Sequence, residues 1–375
     1  MSVVHARLAP SAAGMWGPGA CPAYPRVAAA YPADEDSEEA REGTAAHWYL
    51  TESLRGVALA EGAIAPNGYP VTAEMIRCAR QMIARVNEVC PDPAQRLIET
   101  WVPIPAVHRD CSGTPDFACI DRAAKVLRVY DYKYGHREIE VYECWQVVAY
   151  VAGVAFAKNI DLTDGWRVEM KIFQPRCYSK AAGPEDTLVL PGNKMIMRIN
   201  RLRGAAREAD DEKAPRRSGE YCRDCPAMLD CPAALAAIGE AMCVSRRGPE
   251  CALTAEDRAH LLTYVRAAMA RLKAADAALV ASVTAALKSG HPAPGWYMEK
   301  GRSSRKWARP AAEVIATAAL CGVDVCKADV AVTPLQALEK GLDEAVVDAY
   351  SVTAPGAPTL KPFTGIEAAK AFANI

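Results

Sequence analysis

The sequence predicts an α/β fold on three observations. Short runs rich in Val, Ile and Tyr ("RLIETWVPIP", "GTPDFACID" and "VLRVYDYKY") follow one another in the first half of the chain. Stretches with apolar residues at three- and four-residue intervals flank these runs on both sides. A further strand candidate, "GWRVEMKIFQPRC", comes after the second helical stretch, and strands alternating with helices imply a sheet covered by helices.

Taken in order, residues 1–40 are rich in Pro, Gly and Ala and read mostly as loop around an isolated Cys21. From Ser37 to about Ala60 the spacing is that of an amphipathic helix, starting near Gly43 and Thr44. A second helix is expected from Thr72 to Val89, where Met75, Ile76, Met82, Ile83 and Val86 form an apolar stripe. "RAAK" between the last two strand candidates reads as a hairpin loop, and "YECWQVVAYVAGVAFA" as a helix. "RLRGAAREADDEKAPRRSG" is polar and mixed in charge, which suggests a surface connection. After Cys251 an Ala-rich helix is expected from Thr254 to Gly290. The basic "GWYMEKGRSSRKWARP", helical text through Tyr350 and a Pro-rich tail follow. A boundary near Gly248 divides an α/β domain (1–247) from a mainly helical one (248–375).

Composition narrows the function classes. With 51% apolar and 24% charged residues the chain is that of a soluble globular protein. A net charge of -1 and a pI near 6.6 give no global positive field, so a nucleic-acid site must be local. No apolar run has the length of a membrane span, and residues 1–16 lack the basic and apolar regions of a signal peptide, so a cytoplasmic location is expected. There is no G-x-x-x-x-G-K-[ST] loop and hence no nucleotide-driven motor.

The chemistry concentrates in "VYDYKYGHREIEVYECWQVVAY". Side chains alternate along a strand, so Asp131 and Lys133 emerge on one face and Tyr130, Tyr132 and Tyr134 on the other. A D-x-K pair alone is most often a solvated ion pair. Cleaving a phosphodiester, however, needs hard cations held by converging carboxylates. Asp116 in "GTPDF" is brought to Asp131 by the short hairpin. Lys133 can orient the attacking water and neutralise charge on the phosphate. Gln146 and Tyr150, four residues apart, share a helix face directed at the site, and His47 can complete the metal shell through a ring nitrogen.

Among the fourteen cysteines, Cys78, Cys90, Cys119 and Cys144 lie in apolar helix or strand contexts and read as core residues. Cys222, Cys225 and Cys231 form a C-x2-C-x5-C run in a turn-rich segment, where packing gives no reason to concentrate thiols. Metal binding is the expected role.

"EGTAAHWYLTE", "GTPDFACID", "VYDYKYG" and "QVVAY" together resemble the successive motifs of RecB-like nucleases of the PD-(D/E)XK superfamily. "LAPSAAGMW", "KIFQPR", "YCRDCPAMLDC", "GRSSRKW" and "LEKGL" extend the resemblance to a phage- and prophage-encoded branch over most of the chain. The resemblance implies a restriction-endonuclease-like mixed sheet flanked by helices, and Mg2+- or Mn2+-dependent DNA hydrolysis. The catalytic residues would be Asp116, Asp131, Lys133, Gln146 and Tyr150, with His47, Asp116 and Asp131 holding the cation. It also implies an iron–sulfur staple, a 4Fe-4S cluster held by Cys21, Cys222, Cys225 and Cys231, although a four-cysteine set suits structural zinc as well. The spacer "GPGA" between Trp16 and Cys21 is longer than is usual in that branch.

The implied substrate is single-stranded DNA or duplex ends in a bacterial host cell, with exonuclease action in recombination or repair beside a strand-annealing or single-strand-binding protein. Trp48, Tyr49, Tyr132, Tyr142 and Trp145 are candidates for base stacking, although aromatics at such spacing are more often core residues. Arg302, Arg305, Lys306 and Arg309 either contact phosphates or form a solvated turn. The rival reading is a catalytically inactive DNA-binding or scaffold protein. Retention of Asp116, Asp131 and Lys133 weighs against it.

Overall fold

A computed structural model describes residues 6–31, 37–177, 183–246, 254–327 and 330–362. The chain forms two compact units that meet between Ala275 and Asp276, inside a long helix. The boundary expected at Gly248, and Cys251, lie outside the described residues.

Unit one is a mixed α/β layer. Helix α1 (Glu38–Leu54) begins at Ser37, whose hydroxyl accepts from Ala40 N and caps the first turn. The start expected near Gly43 is corrected accordingly, and the helix stops at Leu54 rather than near Ala60. Thr72 caps α2 (Ala73–Val89) in the same way. Five strands follow in spatial and chain order: β1 (Leu97–Ile98), β2 (Phe117–Asp121), β3 (Val126–Tyr132), β4 (Arg167–Phe173) and β5 (Glu185–Pro191). Neighbours are antiparallel except β3 and β4, which are parallel. A parallel pair needs a crossover, and α3 (Trp145–Ala157) supplies it.

Alternation in β3 sorts the sheet's two cores. Leu127 and Val129 face α3 and α4 (Gly192–Asp210), while Tyr130 and Tyr132 pack with Phe117, Phe173, α1 and α2 on the other side. The cysteines read as core, Cys78, Cys90, Cys119 and Cys144, are all buried.

Three further readings are corrected. "RLIETWVPIP" is not one strand: after β1 the backbone turns at Glu99, and Val102–Pro103 pairs instead with Ser112–Gly113. The loop expected over residues 1–40 is interrupted by helix. Short helices at Ala13–Trp16 and Tyr24–Ala28 are ordered by burial of Leu8, Ala13 and Trp16 in the main core, where Trp16 Nε1 donates to the Ala9 carbonyl at 3.1 Å. The first half of "RLRGAAREADDEKAPRRSG" is the end of α4, because Leu202, Ala206 and Ala209 continue a buried stripe from Met195 and Ile199 beneath a charged surface.

Helix α5 (Pro232–Arg246) follows the thiol segment, and α6 (Ala255–Lys288) ends two residues before Gly290, as the sequence suggests. Unit two combines helix with strand. The basic segment and the Pro-rich tail are partners: β6 (Trp296–Trp307) pairs antiparallel with β7 (Ser351–Pro362). The register slips between Ala354 and Gly356 and again between Gly356 and Thr359, and a two-stranded ladder has free edges on which prolines need no donor. A small core of Val314, Ala318, Val325 and Val347 packs in this unit.

Candidate active site and thiol site

Strand register assembles the site. Ile98 pairs with Phe117, and Phe117 with Tyr130. One residue further along come Glu99, just past β1, Asp116, just before β2, and Asp131 near the carboxyl end of β3. Asp116 is pinned to the sheet, since its Oδ2 accepts from Tyr132 N at 2.6 Å. Its Oδ1 lies 3.5 Å from His47 Nδ1, which reaches over from α1 edge-on to the Tyr132 ring. Asp131 is 1% exposed. Apart from the ion pair with Lys133 Nζ, 2.9 Å from Oδ2, neither of its carboxylate oxygens has a hydrogen-bond partner.

Lys133 lies just beyond β3, held there by its N–H donating to the Phe173 carbonyl at 2.8 Å. Its Nζ donates to Gln146 Oε1 at 2.9 Å, and Gln146 Nε2 donates to Tyr150 OH at 3.1 Å. The i, i+4 spacing on α3 makes that relay possible. Gly113 lies against Tyr150: a Cβ there would stand 3.0 Å from Tyr150 Cε1 and 2.9 Å from Pro10 Cγ.

The electrostatics are those of a buried, charge-dense pocket. Burial pushes the Asp131 carboxyl above its ordinary range, with Asp116 adding to the effect and Lys133 opposing it. Burial likewise disfavours charge on Asp116, but His47 and Lys133 outweigh it and hold that carboxyl low. On His47 and Lys133 burial favours the neutral forms, yet the carboxylates win: His47 is raised by Asp116, and Lys133 is pushed up to about 12 by Asp131 and Asp116. Opposite charges thus stabilise one another where water is scarce.

All of the residues singled out for this chemistry, His47, Asp116, Asp131, Lys133, Gln146 and Tyr150, come together. Glu99 was missed. Ligand atoms of His47, Glu99 and Asp116 lie within 4.8 Å of one another, a grouping that does not include Asp131. Glu99 has φ 45°, a strained value for a residue with a side chain, and burial beside Asp116 raises its carboxyl to about 7. The acidic residue in "IETW" is the only sequence signal for it. The donor set of His47, Glu99 and Asp116, carboxylate oxygens and an imidazole nitrogen, suits a hard divalent cation.

Of the stacking candidates, Tyr49 and Tyr132 are buried and unable to receive a base, and Trp48 packs against the core around α1. Tyr142 is 58% exposed. The Arg198 guanidinium lies over the Tyr142 ring at 4.5 Å and over the Trp145 ring at 4.8 Å. In unit two Arg305 is engaged by Asp348, and it lies on β6 rather than on a turn.

The thiols meet as well. Cys21, Cys222, Cys225 and Cys231 line one pocket with about 350 Å³ of open space, together with Arg216 and Arg217. Backbone N–H groups of Arg217 and Gly219 point at Cys21 Sγ (3.4 Å) and Cys222 Sγ (3.3 Å). Tyr31 OH donates to Asp230 Oδ2 at 3.0 Å, and Val27 packs on Ala227, docking the N-terminal segment on the thiol loop. Burial raises the Cys222 and Cys225 thiols, and nearby N–H donors oppose it. A four-thiol lining suits structural zinc and an iron–sulfur cluster alike.

Fold and site define an α/β protein with a carboxylate–lysine centre and a separate four-thiol pocket. The chain belongs to the family described as Protein of unknown function (DUF2800), whose model matches residues 5–364. No curated protein matches it. No helix among the described residues is long and apolar enough to cross a membrane.

Proposed function

We propose that this protein is a metal-dependent deoxyribonuclease of the RecB-like PD-(D/E)XK type, acting on DNA ends or single strands. The carrying observation is the row Glu99, Asp116, Asp131 at one end of the sheet, with Lys133 tied to Asp131 and Gln146, and Gln146 in turn to Tyr150. His47, Glu99, Asp116 and Asp131 would hold Mg2+ or Mn2+, which supplies Lewis-acid stabilisation of the phosphate and a more acidic water. Lys133, charged at neutral pH, is aimed by Gln146 at the charge that develops on the phosphate. Asp131 and Gln146 together restrict the lysine to few rotamers, so little reorganisation is left for the reaction itself.

The mixed sheet flanked by helices supports a PD-(D/E)XK core. Cys21, Cys222, Cys225 and Cys231 would hold a 4Fe-4S cluster whose role is structural, closing a loop of some two hundred residues. Digestion from an end would leave single-stranded tails for an annealing or single-strand-binding partner. The test is a time course on end-labelled single- and double-stranded DNA with Mg2+ or Mn2+, beside a closed circle. Loss of linear DNA with the circle intact is expected. Equal cutting of circle and linear DNA would overturn the end-dependent assignment, and no cutting of either would overturn the nuclease.

A further inference from the structure

The loop leaving the candidate active site is pinned by a fully buried glutamine. Gln174 Nε2 donates to the Arg137 carbonyl at 2.8 Å, and its Oε1 accepts from Ile139 N at 3.1 Å. Arg137 is thereby fixed four residues past Lys133 and against the thiol loop, where its Nη1 donates to Asp224 Oδ2 at 2.6 Å. Asp224 also lies 3.7 Å from Arg223 Nε. One carboxylate thus aligns two guanidinium groups, and both arginine side chains stay more than half exposed, at 57% and 51%.

Helix α6 forms the opposite wall. Arg266 and Lys273 are seven residues apart, which puts them on one helix face about 10 Å apart along the axis. They line, with Arg137, Arg223, Glu220 and Met269, a groove with about 790 Å³ of open space. Both are exposed, and neither has an ion-pair partner among the described residues. Four cations therefore meet two carboxylates, Glu220 and Asp224, a local positive excess in a chain whose net charge is -1.

We propose that this groove binds single-stranded nucleic acid through its phosphates. Exposed guanidinium and ammonium groups on two facing walls suit a polyanion, and Met269, half exposed on α6, offers an apolar surface to a sugar or base. The groove's comparable cavity volume, about 340 Å³, lies at the low end of pockets that bury a drug-sized molecule, roughly 300–1,000 Å³. That size favours a short length of one strand over a paired duplex as the occupant. Arg137 stands four residues past Lys133 in the chain; that a strand in the groove would continue to the cleavage site, unlike the binding, rests on the nuclease reading.

The test uses the full chain in EDTA, with fluorescent dT30 and a 30-base-pair duplex as probes read by anisotropy across a salt series. The exposed pair is replaced in R266Q/K273Q, which leaves the carboxylate site untouched. Expected are at least tenfold weaker dT30 binding and a log K against log salt slope shallower by about 1.4, as loss of two phosphate contacts to a single strand requires. Duplex binding should change by less than threefold. A dT30 affinity within twofold of wild type overturns the groove, and equal losses on both probes overturn the single-strand assignment. Hydrolysis of bis-p-nitrophenyl phosphate, too small to reach the groove, is measured in parallel. Its absence in wild type counts against the nuclease and leaves the groove to be judged on binding alone.

Discussion

Gln146 Oε1 accepts a hydrogen bond from Lys133 Nζ at 2.9 Å, joining the end of β3 to the first turn of the crossover helix. Changing either residue acts on the same ammonium group, but to different degrees. K133A is expected to lower DNA cleavage by about 10²–10³-fold or more, the range for removing one preorganised charge-stabilising group. Q146A should cost less, because Asp131 still holds the lysine. Single-turnover rates on end-labelled DNA check the order, and a Q146A rate below that of K133A would contradict it.

Asp131 should show a trade of stability for function. Its pKa is raised by burial, so the charged form is penalised in the folded state at neutral pH and the penalty fades as pH falls toward the unfolded value. D131N is therefore expected to abolish cleavage and to melt above wild type in EDTA at pH 7. Calorimetry on both proteins decides; a lower melting temperature for D131N would contradict the sign.

Glu99 is expected to matter for the cation and little for the fold. E99Q keeps the side chain's shape and removes its charge beside His47 and Asp116. Mn2+ affinity should fall about 10- to 100-fold, read by isothermal titration, with the circular dichroism spectrum unchanged. Wild-type affinity would remove Glu99 from the ligand set.

Lys171 and Glu185 tie β4 to β5: Lys171 Nζ donates to Glu185 Oε2 at 2.8 Å, and Arg85 lies 3.6 Å from the same carboxylate. Burial alone would raise the Glu185 pKa, but Lys171 and Arg85 lower it. A depressed folded pKa contributes stability above the unfolded carboxylate value of about 4.3, lost as pH falls through the folded value. Urea titrations between pH 3 and 7 should show that loss in wild type and a flatter profile in E185Q. E185Q should also cost roughly 1–3 kcal/mol at pH 7, because it leaves the buried Lys171 ammonium poorly compensated.

Anaerobically prepared protein is expected to be brown and to carry about four iron and four sulfide per chain. C225S and C231S should lose both and melt lower, since the site joins segments two hundred residues apart. Stoichiometric zinc without iron would exclude the cluster.

The sequence carried the site better than the scaffold around it. Asp131, Lys133, Gln146 and Tyr150 were legible because strand and helix periodicities fix which side chains share a face, and those periodicities held. Glu99 was not legible, because it reaches the site through a backbone turn with positive φ that interrupts an apparently continuous strand. The end of α4 was hidden for another reason. A helix that buries one stripe of Leu and Ala beneath many arginines has the composition of a loop. β7 escaped because prolines argue against strands, and only a ladder with free edges tolerates them.

The pairing of β6 with β7 also sets a timetable. Trp307 is opposite Ser351, so β6 leaves the ribosome some forty residues before the first of its partner. At synthesis rates of about 5–20 residues per second, β6 waits on the order of seconds with both edges bare. Lys300, Arg305 and Lys306 outnumber Glu299 along that strand, and a net positive charge deters bare edges from joining those of neighbouring nascent chains. The basic run that invites a nucleic-acid reading thus has a second use before the fold exists, as a guard on a strand whose mate has not yet been made.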